Sequence, residues 1–170
     1  GAAAAVACRR TRGVGVAVVA GPYLLDSNTC IQYLKGRSAS VSSRLQRTDP
    51  GQMRLCAVVK GELLYGAWRS RYRTDTMSKL ESFLAAFESC PFDDRAAEVY
   101  GRLRAELAIA GTPIGANDLL IASIALSRDL VLVTHNIREF ERVPGLALED
   151  WEAEQLSRST CSPAGITLRR

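Results

Sequence analysis

Apolar residues in this chain fall into two spacings, short unbroken runs and stretches where they return every third or fourth position, and the two alternate from residue 23 onward. The run Tyr23-Leu24-Leu25 ends in Asp26 and predicts a short buried strand. Ser27 or Asn28 is placed to cap a helix that carries Cys30, Ile31, Tyr33 and Leu34 and stops at Gly36. A second short helix is expected over 41–47, the Asp49-Pro50-Gly51 turn closes it, and Met53 to Ala57 supplies another strand. Val58 to Arg71 predicts a helix in which Glu62 stands among Val59, Leu63 and Tyr65. From Thr74 to Ser89, the residues Met77, Leu80, Phe83, Leu84 and Phe87 keep the spacing of one amphipathic helix. Asp93 or Asp94 caps the next, with an inward stripe of Ala97, Tyr100, Leu103 and Leu107, and Gly111-Thr112-Pro113 ends it. Gly115-Ala116-Asn117 leads into an apolar helix from Asp118 to Ser127. Leu130 to Thr134 is a continuous leucine and β-branched run, the mark of a buried parallel strand, and 146–148 adds a last short one.

Strand and helix in alternation predict an α/β fold, a single domain whose central, mostly parallel sheet is flanked by helices. The organised part spans 23–151. Residues 1–22, rich in Ala, Gly and Val, and residues 152–170, rich in Ser, Thr and Arg, carry no period and are expected to be a disordered extension and tail. The apolar stretch Val14 to Ala20 is far short of the roughly 20 residues that span a bilayer, so no membrane association is expected.

Composition narrows the chemistry. Hydrophobic residues at 47% and charged residues at 24% fit an ordinary globular chain, which excludes wholesale disorder. The net charge of +4 suggests a nucleic-acid binder until it is divided by region. Arg9, Arg10 and Arg12 account for three charges and the stretch after residue 150 for one, leaving 16 basic and 16 acidic residues between. Any nucleic-acid surface must therefore rest on local placement. The five cysteines are odd in number and widely spaced, without a C-x-x-C, so neither a disulfide framework nor a zinc knuckle is indicated and a reducing cytoplasm fits best. His135 is the only histidine, which weakens every Ser-His-Asp or Cys-His scheme and leaves acid, base and metal work to carboxylates.

In open α/β sheets the ligand site lies beyond the carboxyl ends of the strands. Asp26 follows the first predicted strand, and Thr134, His135 and Asn136 follow the strongest one. Asp118 begins an apolar helix and Glu62 interrupts another. Carboxylates gathered in this way suit Mg²⁺ or Mn²⁺, hard ions that take oxygen ligands and keep several waters, and a phosphodiester is the natural substrate. Each residue alone has a plainer reading: Asp26 as a helix cap, Glu62 as a solvated helix residue, Asp118 as a first-turn acid favoured by the helix dipole. Their coincidence carries the case. Trp68 with Arg69, Arg71, Arg73 and Lys79 could grip RNA, although a solvated helix face is the plainer reading.

Four segments, in order, resemble the PIN-domain toxins of VapC type: Tyr23-Leu-Leu-Asp-Ser-Asn-Thr-Cys-Ile, Gly61-Glu-Leu-Leu-Tyr-Gly-Ala, Gly111-Thr-Pro-Ile-Gly-Ala-Asn-Asp-Leu-Leu-Ile-Ala and Val133-Thr-His-Asn-Ile-Arg-Glu-Phe-Glu-Arg-Val-Pro-Gly-Leu. The resemblance covers about 23–151 and implies a Mg²⁺-dependent endoribonuclease, the toxin of a toxin–antitoxin pair. It further implies a homodimer silenced by a VapB-type antitoxin, whose C-terminal segment enters the active-site groove. By the same resemblance Asp26 and Asp118 match metal-binding aspartates and Glu62 the glutamate of an acidic triad, so these three are the candidate metal ligands. Asn136 stands where many PIN domains have a fourth acid, and it joins the candidate catalytic set. An amide oxygen is a poorer ligand than a carboxylate, and Glu139 is the nearby acid able to compensate.

Two rivals follow from the same residues. The Asn136 departure motivates a metal-poor PIN fold that binds RNA or antitoxin without cutting. A metal-dependent phosphatase for small esters is the other, and it lacks a Walker-type Gly-rich loop.

Overall fold

Strand β1 (Tyr23–Leu25) is buried at all three positions, as an unbroken apolar run requires when both faces of a sheet are covered. The computed structural model describes residues 21–153; the sequence expectations for the terminal tails fall mainly outside these residues. Helices α1 (Ser27–Leu34) and α2 (Ala39–Arg47) lead through a 3₁₀ turn (Pro50–Gln52) to β2 (Met53–Cys56). Helices α3 (Ala57–Trp68) and α4 (Arg73–Leu84) lead to β3 (Glu88–Cys90). Then come α5 (Asp94–Ile109), α6 (Ala116–Ser127), β4 (Val131–Val133), α7 (Ile137–Phe140) and β5 (Leu148–Glu149).

The five strands lie in the order β3-β2-β1-β4-β5, and every pairing is parallel. In register, Leu25 of β1 faces Val133 of β4, so both strands end at the same level. The chain builds outward from β1 to β3, then crosses to the other side of β1 to lay down β4. The order therefore reverses between β1 and β4, the place where parallel sheets open a crevice at their carboxyl ends. Residues following β1 and β4 enter that crevice.

Helix ends follow from local chemistry. Gly36, with φ +60°, and Gly111, with φ +69°, occupy left-handed positions after α1 and α5 that a side chain would strain. Ser38 caps α2 by accepting from the Val41 N–H, which moves its start two residues ahead of the expected one. Asp93 caps α5, accepting from the Ala96 N–H at 3.0 Å. Helix α6 also starts two residues early, at Ala116, and seven of its twelve residues are buried.

Three sequence expectations are corrected. Neither Ser27 nor Asn28 caps α1: Asp26 does, its Oδ1 accepting from the Ser27 N–H at 2.7 Å. The helix expected to reach Ser89 stops at Leu84, and Glu88–Cys90 is an edge strand held to β2 by the ladder and by an Arg54–Glu88 ion pair at 3.0 Å. On α5, Leu103 and Leu107 are buried as expected and Tyr100 packs against the core, but the stripe begins with Ala96, since Ala97 is exposed.

The far end of the domain is tied down by one ring. Trp151, 1% exposed, meets Tyr23 edge-on at 5.3 Å and donates its indole N–H to Glu149 Oε2 at 2.8 Å. Arg44 stacks on that ring and pairs with Glu149 at 3.1 Å. At the near end, the Pro22 carbonyl accepts from the Val131 N–H, so the ladder is already engaged ahead of β1.

Candidate active site

Asp26 sits where β1 hands over to α1. Its backbone N–H donates to the Val133 carbonyl at 3.0 Å, which holds it against the end of β4. Its carboxylate is 4% exposed and divided between two duties: Oδ1 accepts from Ser27 N–H, and Oδ2 accepts from the Thr134 hydroxyl at 2.8 Å. Thr134 in turn accepts from the Asn136 N–H at 3.0 Å. Thr29 adds a hydroxyl bond to the Val133 carbonyl. The two central strands are thus joined at their carboxyl ends by side chains as well as by the ladder. Burial pushes the Asp26 carboxyl up, against the opposing pull of the Thr134 and Ser27 hydrogen bonds, and the charge of Glu62 adds to the rise.

Asp118 enters from the opposite wall, in the first turn of α6. That helix immediately precedes β4 in the fold, so its N-terminus lies at the carboxyl edge of the sheet. Oδ2 lies so close to Gly115 that a Cβ there would come within 3.0 Å of it. Burial, then the charges of Asp26, Glu139 and Glu62, lift the Asp118 carboxyl to about 6. Three other acids act on this one group, and all of them disfavour its ionisation.

Glu62 and Glu139 complete the ring of acids. Glu62 is the sixth residue of α3, about 9 Å along its axis from the end of β2. Its Oε1 accepts from the Asn117 amide at 2.7 Å, a latch between α3 and α6. Glu139 lies on α7, which turns it toward α6, and its Oε1 accepts from the Gly115 N–H at 3.1 Å. Asn136 stands at the rim with an exposed side chain, where it precedes α7 without capping it. Beside Glu62 opens a groove of about 470 Å³ between α1, α3 and α4, with Ile31, Leu34, Leu63 and Leu80 on its walls and Lys79 and Asp75 at its edge.

A family profile for the PIN domain matches residues 23–146. The chain is 40% identical over 129 residues to the tRNA(fMet)-specific endonuclease VapC of Salmonella typhimurium, covering 76% of this chain and 97% of that protein. This chain belongs to the PIN-domain family, in its VapC branch. It is also 38% identical over 131 residues to ribonuclease VapC2 of Rickettsia felis, covering 76% of this chain and 98% of that protein. The crystal structure of DNA-bound VapBC from Salmonella typhimurium superposes with a TM-score of 0.72 at 40% identity, covering 76% of this chain and 97% of that one.

The donor set of this PIN domain suits a hard divalent cation. It consists of carboxylate oxygens, and the Asp118 carboxyl is lifted first by burial and then by its like-charged neighbours, a field that a cation relieves. Among the described residues no three His, Cys, Asp or Glu side chains converge on one point as they stand, and Asp26 and Glu62 each accept a hydrogen bond from a neighbour. Mg²⁺ does not need three, since one or two carboxylates with waters and substrate phosphate complete its shell. The residues fit.

Sequence reasoning placed Asp26, Glu62, Asp118 and Asn136 and named Thr134 as a neighbour. It missed what Asn117 and Gly115 do. The signal was present, since both stand within three residues ahead of Asp118, but a first-turn amide and a glycine carry no chemistry until their partners on α3 and α7 are known. His135 is exposed, its Nδ1 3.0 Å from Asp150 Oδ2. Cys30, Cys56 and Cys90 are buried free thiols, and burial pushes that of Cys56 up to about 11, which leaves it inert as a nucleophile at neutral pH. No helix among the described residues is long and apolar enough to cross a membrane.

Proposed function

We propose that this VapC-type PIN domain is an endoribonuclease toxin of a VapBC pair, hydrolysing RNA phosphodiester bonds with Mg²⁺, for which Mn²⁺ can substitute. The observation that carries the reading is the placement of Asp26, held against the end of β4 by Val133 and Thr134, and of Asp118, in the first turn of α6, at the same carboxyl edge of the sheet. Asp26 and Asp118 hold the ion, and Glu62 completes the pocket. When bound, the ion supplies Lewis-acid polarisation of the phosphoryl group and a more acidic water. Glu62, fixed at Oε1 by Asn117, orients the attacking water with its second oxygen. Thr134 keeps Asp26 facing the crevice, and Asn136 and Glu139 support the rim.

The names of the relatives support RNA as substrate and an antitoxin as partner. The apolar groove beside Glu62 has the character needed to hold a VapB-type C-terminal segment against the acidic pocket. A homodimer working in the cytoplasm completes the reading.

The test is cleavage of a structured RNA mixture with Mg²⁺ or Mn²⁺ and with chelator, with Asp118→Asn alongside. Discrete fragments that require both the metal and Asp118 are expected. Undiminished cleavage by both Asp118→Asn and Asp26→Asn would falsify the assignment.

A further inference from the structure

Nine consecutive residues, Tyr65 to Arg73, hold three aromatic side chains and three arginines and not one acid. They form the end of α3 and the turn into α4, starting at Tyr65, which lies one helical turn beyond Glu62. Tyr65, Trp68 and Tyr72 are 63%, 56% and 75% exposed, in a fold that buries its other tryptophan to 1%. Two of the three rings are held by arginines. The Arg69 guanidinium lies 5.5 Å from the Tyr65 ring and donates to its hydroxyl at 3.2 Å, and that of Arg73 lies 5.2 Å from the Trp68 ring. The Ser70 hydroxyl accepts from the Tyr72 N–H and pairs with Thr76, which fixes the turn.

We propose that Tyr65, Trp68 and Tyr72, flanked by Arg69, Arg71 and Arg73, form a platform on which unpaired nucleotides of the RNA substrate stack. The platform selects the single-stranded segment presented to the acidic pocket. Bases stack on exposed aromatic faces, and a guanidinium parked on a ring keeps its N–H edge free for a neighbouring phosphate. Charge favours a polyanion, since three cations stand here with no compensating carboxylate within the stretch. None of the three rings lines the apolar groove beside Glu62, so the platform and a peptide in that groove use different residues. The inference rests on the ribonuclease reading, and the experiment separates the two.

Binding is measured in chelator, without cleavage, using a labelled unstructured RNA of about twelve nucleotides, a span typical of one single-strand site. Trp68 is exposed and Trp151 buried, so quenching of the exposed emission reports stacking directly. The expected result is quenching by single-stranded RNA but not by duplex RNA of equal length, and about tenfold weaker binding for Trp68→Ala and for Tyr65→Ala. Trp68→Phe retains most of the affinity. In Mg²⁺ the alanine variants raise KM with little change in kcat, and their melting temperatures stay near that of the parent because the rings are exposed. Unchanged RNA affinity and KM in Trp68→Ala, with cleavage still dependent on Asp118, overturn the platform, assign the patch to a protein partner and leave the nuclease reading standing. Equal competition by inorganic polyphosphate without quenching also overturns it. Quenching without any Asp118-dependent cleavage keeps the platform and removes the nuclease reading.

Discussion

Asn117 donates its side-chain amide to Glu62 Oε1 over 2.7 Å and so latches α6, which carries Asp118, to α3. The bond joins residues 55 positions apart, and it fixes the orientation of a carboxylate that would otherwise rotate freely at the mouth of the crevice. Asn117 is exposed, so the latch serves geometry more than stability. Asn117→Ala is expected to lower metal-dependent cleavage by roughly tenfold, the usual cost of losing a group that orients a ligand. Its stability should change by less than about 0.5 kcal/mol, as at most exposed positions. Parallel kinetics and urea titration check both halves.

Asp26 separates charge from hydrogen bonding. In Asp26→Asn the amide keeps an acceptor for Ser27 N–H and offers a donor to Thr134, so the fold should hold while cleavage is lost. Asp26→Ala leaves the Thr134 hydroxyl and the Ser27 N–H without their partner in a buried place, which costs about 1–3 kcal/mol. Urea midpoints should therefore rank the parent and Asp26→Asn together and Asp26→Ala below.

The Asp118 carboxyl, lifted from 3.8 to about 6, makes a signed prediction. Between those values the folded protein holds a proton that the unfolded chain releases, so without metal this group's contribution to stability falls as pH rises from about 4 to about 6. Asp26, also raised, acts in the same direction. On the proposed reading Mg²⁺ would compete with the same protons, and an ion that binds only the native state stabilises it by mass action. The rise in melting temperature on adding Mg²⁺ should be clear at pH 7.5 and small at pH 5. Equal shifts at both values would count against carboxylate ligands, and no shift at either would favour the metal-poor binding module.

Trp151 is the packing anchor of the C-terminal end of the domain. Trp151→Ala removes the ring that meets Tyr23 and the donor to Glu149, and should cost about 3–5 kcal/mol. Denaturant unfolding followed by circular dichroism measures it, and a loss below about 1 kcal/mol would contradict the buried contact.

The two central strands were legible because Tyr23–Leu25 and Val131–Val133 are unbroken apolar runs, whereas the last strand, expected over 146–148, lies at Leu148–Glu149. Glu88–Cys90 was not legible, because its first two side chains are exposed and polar, and only pairing with β2 and the Arg54 contact make it a strand. The slip between Ala96 and Ala97 has a related cause, since two adjacent alanines give the period nothing to grip. For the pocket, Asp26 and Asp118 showed themselves as acids at a strand end and a helix start. The Thr134–Asp26 and Asn117–Glu62 bonds did not, because each joins residues far apart in sequence and depends on the order in which the strands are laid down.

That order carries a consequence for synthesis. The central strand is the first one made, yet its neighbour β4 and the hydroxyl that orients Asp26 arrive 108 residues later. A nascent chain that has emerged only through α5 holds Asp26 and Glu62 but neither Asp118 nor Thr134, and has no crevice between β1 and β4 in which to bring them together. An unfinished chain that ends before Thr134 therefore cannot assemble the acidic pocket, which forms only once the domain is nearly whole.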